Sequence, residues 1–123
     1  METQEIIEKY LKPRVRSECE RLKIPSSFVK GLLARSEEDM IDYWGIVYNA
    51  RLHNVYDENG KLIGVEIWFK DGIKSKIKML LLFFHEMDHV KDKYYGKMTS
   101  ESRATCYSWK RLLQELLTLK ILK

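Results

Sequence analysis

Phe84-His85-Glu86-Met87-Asp88-His89 is the stretch from which the rest of the chain can be read. It has the form H-E-x-x-H. Residues four apart on an α-helix lie one above the other, so His85 and His89 can grip one ion from one face. Glu86 stands beside them, where it can take a proton from a metal-bound water. A catalytic zinc takes three protein ligands and keeps a fourth position for water, so one more ligand is expected elsewhere. The pattern also demands a helix. Ile77 to Phe84 carries good helix formers and neither Gly nor Pro. It is apolar nearly all round, as in a helix buried on most sides. Ser75 can cap its start and Gly96 can close its end, which predicts a helix over 75–96.

The 123 residues suit one domain with a modest core, 45% apolar and 33% charged, in the ordinary globular range. Lysines and arginines outnumber acids by only four and are interrupted by them throughout. That argues against nucleic acid as a partner. Cys19 and Cys106 form no framework spacing and are expected as buried thiols in a reducing compartment. The N-terminus, Met1-Glu2-Thr3-Gln4-Glu5, is too acidic for a signal peptide. The longest apolar run, Met79 to Phe84, is too short to span a membrane, so a cytoplasmic protein is expected.

Outward from the motif, the chain divides into four parts. Residues 1–42 read as helical. Thr3 is a candidate cap for a first helix with Ile6, Ile7, Tyr10 and Leu11 as its apolar stripe. Pro13 kinks that helix or opens a second one reaching about Leu22. After Ile24-Pro25, Ser26 or Ser27 starts a short helix from Phe28 to Ala34, and Arg35 to Asp42 is a turn or short helix. Residues 43–72 read as sheet. Tyr43 to Tyr48 and Ala50 to Tyr56 are strand formers, Asp57-Glu58-Asn59-Gly60 is a hairpin turn, and Leu62 to Phe69 returns with Ile63, Val65, Ile67 and Phe69 on one face. The motif helix follows over 75–96. A last helix over 100–119 starts at Thr99 or Ser100 and carries Leu112, Leu113, Leu116, Leu117 and Leu119. The expected class is α+β, with N-terminal helices, a small mostly antiparallel sheet and two closing helices.

The third ligand has few candidates. Glu101 is the best placed, twelve residues after His89, past the turn at Gly96 and in the first turn of the last helix. A glutamate there also compensates the helix dipole. Glu115 is an outside alternative, and His53 sits near the hairpin as a strand residue. Asp88 and Asp92 can orient a histidine through its second nitrogen, or be solvated or paired with lysines. Tyr94, Tyr95 and Arg103 are candidate stabilisers of an oxyanion. Cys106 reads as a core residue.

His85-Glu86-x-x-His89 followed by Glu101-Ser102-Arg103-Ala104 opening a helix resembles the gluzincin metallopeptidases. With a short helical N-terminus and a small sheet, the chain is similar to their compact members, the minigluzincins, over roughly Tyr43 to Leu117. The resemblance implies a zinc-dependent endopeptidase acting on a peptide or protein substrate, with His85, His89 and Glu101 as zinc ligands and Glu86 as general base. It implies that the strand before the motif helix binds substrate at its edge, which here gives Val65, Ile67 and Phe69 that role. It also implies latency, with the terminal segment Thr118 to Lys123 reaching the metal. Two features depart from the family. The interval to Glu101 is shorter than in thermolysin-like enzymes, and Thr105 stands where larger gluzincins often have Asp. Two other functions fit the same residues: a regulator of ImmA/IrrE type that cleaves one dedicated partner, and a non-catalytic zinc-stabilised interaction or DNA-binding module.

Overall fold

A computed structural model of the chain describes the backbone of residues 1–122 and the side-chain surroundings of residues 1–118. The N-terminal helical run changes pitch as it goes. Helix α1, Thr3–Ile6, passes into a wide π turn over Ile7–Leu11, a tight 3-10 turn over Lys12–Arg14, and then α2, Val15–Leu22. Pro13 accounts for the change. Its ring lacks an N–H and crowds the preceding turn, so the helix loosens ahead of it and tightens around it. Ile6, Ile7 and Leu11 remain fully buried through the irregular part. Thr3 is the first helical residue rather than its cap. Glu2 is the N-cap, and the Thr3 hydroxyl donates to the Ile73 carbonyl at 2.7 Å.

Two segments differ from the sequence expectation. Val29–Arg35 is a strand, β1, and not a helix. Phe28, Leu32 and Leu33 have helical spacing, but Gly31 in the middle costs a helix about 1 kcal/mol relative to Ala. Pairing with a sheet edge outweighs that weak local preference. The second segment, Tyr43 to Tyr48, is a turn and not a strand, joined only by an isolated bridge between Ile41 and Val47. Asp42 Oδ1 accepts from the amides of Trp44 at 2.9 Å and Ile46 at 2.8 Å, and Oδ2 accepts from the Tyr48 hydroxyl at 2.9 Å. These bonds, with Gly45 at φ 82, close the chain on itself and prevent a ladder.

The hairpin forms as expected, from β2, Ala50–Tyr56, and β3, Leu62–Lys70. Asp57 Oδ1 accepts from the amides of Asn59 and Lys61, each at 2.9 Å. The sheet order is β1-β3-β2, so β3 is the middle strand. It runs antiparallel to β2 and parallel to β1, which makes the sheet mixed rather than mostly antiparallel. Gly64 of β3 is needed for this approach. A Cβ there would sit 2.5 Å from the Phe28 carbonyl oxygen.

Helix α3, Lys76–Tyr95, begins where predicted, with the Ser75 hydroxyl accepting from the Lys78 amide at 3.2 Å. It ends at Gly96, left-handed at φ 65. Its Met79, Phe83, Phe84, Met87 and Val90 share one core with Val65, Ile67 and Phe69 of β3. Helix α4, Glu101–Leu122, packs on α3, and Ser100 Oγ accepts from the Arg103 amide at 3.3 Å across its first turn. Farther along, Arg111 is buried against Glu18 of α2, with Nε donating at 2.7 Å. Thr118 to Leu122, expected to reach back toward the metal, continue α4 in their backbone, and Lys123 with its carboxylate lies outside the described residues. Among the described residues no helix is long and apolar enough to cross a membrane.

Candidate metal centre

The fold brings three of the predicted residues together. Two helical turns of α3 hold His85 and His89 with their Nε2 atoms 3.1 Å apart. The first turn of α4 brings Glu101 to both. Its Oε2 is 2.9 Å from His85 Nε2, and its Oε1 is 2.9 Å from His89 Nε2. At bond lengths of 2.0–2.2 Å, a tetrahedral ion separates its donor atoms by about 3.3–3.6 Å. The three donors therefore need to move by only a few tenths of an ångström to hold zinc, and two imidazoles with one carboxylate are a set that zinc takes in hydrolases. Burial lowers the pKa of His89, which keeps that ring neutral and its nitrogen free to ligate. Glu86 also has a carboxylate oxygen near the imidazoles, in a cluster within 4.8 Å. Glu101 reaches both imidazoles, whereas Glu86 lies about 100° round the helix from His85.

Glu86 differs from Glu101 in its surroundings. It is 7% exposed, while the Glu101 side chain is 78% exposed. Burial first, and the Glu101 charge second, push the Glu86 carboxyl up to about 7. With no metal ion beside it, a carboxyl at that value exchanges protons near neutral pH. Over the cluster opens a cleft of about 540 Å³. Residues 47–52, from the Asp42 turn into β2, line one part of it, and Trp109 of α4 lines another. Among the described residues the outer edge of β2 has no strand partner.

Several predicted residues are placed elsewhere. Val65, Ile67 and Phe69 are fully buried in the core, on a strand paired along both edges, so they cannot receive a substrate. The strand that borders the cleft is β2, the other arm of the hairpin. Tyr94 packs edge-on against Phe28, and the Tyr95 hydroxyl donates to the Lys23 carbonyl. Arg103 is paired with Asp88 and Asp92. None of the three lines the cleft, whereas Tyr48 and Arg51 do. Neither of those two stands in a motif, and only the register of β2 beside α3 could have found them. His53 stacks on Trp68 with ring centroids 4.2 Å apart, and Glu115 pairs with Arg14 and Arg111, so neither approaches the histidines. Asp88 and Asp92 are buried, each 1% exposed, and not solvated, and Asp88 pairs with Lys91 at 3.3 Å. Cys19 is buried, its thiol pushed up to about 11 mainly by that burial, whereas Cys106 is exposed and not a core residue.

The chain matches no protein-family model, no curated protein and no solved structure. Its chemistry must therefore be argued from this cluster.

Proposed function

We propose that the chain is a zinc metallopeptidase of gluzincin type, in which His85, His89 and Glu101 hold the ion and Glu86 is the general base. The observation that carries this reading is the single carboxylate of Glu101, 2.9 Å from both histidine nitrogens, with buried Glu86 at their side. Zinc bound there would supply a Lewis acid and a water acidic enough to ionise near neutral pH. Glu86 accepts the proton of the attacking water and returns it to the leaving amine nitrogen. The unpaired edge of β2 orients the substrate, since an extended peptide can add to it by main-chain hydrogen bonds. The open cleft favours this reading over a closed structural zinc module, which surrounds its ion with four protein ligands. Two free cysteines suit the cytoplasm as the place of action.

A regulator that cleaves one dedicated partner is the second reading, and one observation favours it. Tyr43 and Trp44 are 94% and 81% exposed on the turn that Asp42 fixes, next to the cleft wall. Exposed apolar groups on an ordered turn suit recognition of a partner. One experiment addresses both readings. Glu86→Gln should retain zinc and lower hydrolysis of unfolded chains or a peptide library by about 10²–10⁴-fold. A zinc-loaded wild type that cleaves none of these substrates removes the general peptidase and leaves the dedicated one.

A further inference from the structure

Helix α3 carries two pairs of residues at i,i+4 spacing, and the first turn of α4 serves both. His85 and His89 form one pair, and Glu101 reaches both of them. Asp88 and Asp92 form the other, each three residues after a histidine. Arg103 reaches both of these, with Nε donating to Asp88 Oδ2 at 3.1 Å and Nη2 donating to Asp92 Oδ2. The two aspartates are buried at 1% exposure, so they present fixed charges to which a helix can be registered. Lys91 adds one contact to Asp88 Oδ1 at 3.3 Å, and Asp92 has Arg103 as its only cation among the described residues.

Glu101 has no comparable anchor of its own. Its side chain is mostly exposed, and burial does not position it. We infer that Arg103 is the positioning residue of the metal centre: by bridging Asp88 and Asp92 it registers α4 on α3 and so delivers Glu101 to the two histidines. A planar guanidinium suits this task, because its fork fixes direction as well as distance. A second observation extends the link. His89 Nδ1 and Asp92 Oδ1 are both buried without a partner, and they lie three residues apart on one helix. One can carry a proton and the other can accept it. Arg103 thus fixes the carboxylate that lies one helical turn from the second nitrogen of His89.

This inference rests on the zinc reading above, and its test separates the two. Zinc affinity of the full chain is measured by competition with a chromophoric chelator, together with the melting temperature of the metal-free protein. Arg103→Ala should weaken zinc binding by about 10–100-fold, the range typical for loss of a group that orients ligands. It should also shift the visible bands of the Co²⁺-substituted protein. Arg103→Lys, a point charge without the fork, should recover only part of the affinity. If Arg103→Ala fails to fold because Asp92 is left buried without a cation, the variant Asp88→Asn with Asp92→Asn and Arg103→Gln removes that charge and should show the same loss. Wild-type zinc affinity in either folded variant, with only the metal-free melting temperature lowered, overturns the inference and leaves the zinc reading standing. A wild type that binds no zinc overturns both.

Discussion

Glu18 and Glu86 are both buried carboxylates, and they are treated oppositely. Glu18, 1% exposed where α2 meets α4, receives Arg111 Nε and Nη2 on one oxygen and the Tyr107 hydroxyl at 2.8 Å on the other. Glu86, 7% exposed beside the histidines, lines the open cleft and receives no cation or donor of this kind among the described residues. A buried carboxylate costs several kcal/mol unless cations and donors compensate it. The fold supplies compensation in full at Glu18 and withholds it at Glu86. The first is therefore a joint of the scaffold. The second is a group whose proton is loosely assigned near neutral pH, the condition under which a carboxylate can work as a base.

The contrast can be broken by mutation. The largest effect is expected from Arg111→Ala, which leaves Glu18 buried without its main cation. Removing one partner of a buried pair typically costs about 3–5 kcal/mol, measurable by urea unfolding. An undisturbed stability would mean that Glu18 is solvated in solution.

Glu86→Gln should act in the other direction. The folded metal-free protein keeps the Glu86 proton up to about pH 7, whereas the ordinary carboxyl releases it near 4.5. Between those values the folded state binds more protons than the unfolded chain, so this group's stabilising contribution falls as pH rises and is complete only below 4.5. The difference corresponds to about 3 kcal/mol at most. Gln cannot ionise, so the variant should be more stable than wild type at pH 8 in chelator and should lose that slope. Parallel pH profiles for the two proteins would contradict the buried state of Glu86. The smallest effect is expected from Tyr107→Phe. It removes one hydroxyl donor to Glu18 and should cost about 1.5 kcal/mol, with no change in metal content.

Much of the site was legible because its signals are local. The i,i+4 spacing of His85 and His89, the cap at Ser75 and the stop at Gly96 depend on neighbours within one or two turns, and the structure keeps all three. The hairpin was legible for the same reason, since Asp57 and Gly60 dictate the turn. What failed depends on distant partners. β1 is a strand because β3 has an edge to offer, and no residue between Phe28 and Arg35 says so. The middle position of β3 follows from that pairing, and with it the burial of Val65, Ile67 and Phe69. Gly64 carried a faint trace of the close approach, as an isolated glycine inside a strand pattern often does. Tyr43 to Tyr48 failed differently. Its side chains favour a strand, but the hydrogen bonds of Asp42 govern the backbone.

Metal content tests most directly whether His85, His89 and Glu101 hold one zinc. Elemental analysis of protein purified without added metal should give one zinc per chain in the wild type and almost none in His85→Ala. Glu101→Ala should release its zinc to a chelator far more readily than wild type, and His53→Ala should keep it. Absence of zinc from the wild type, or loss of zinc from His53→Ala with retention in Glu101→Ala, would contradict the site.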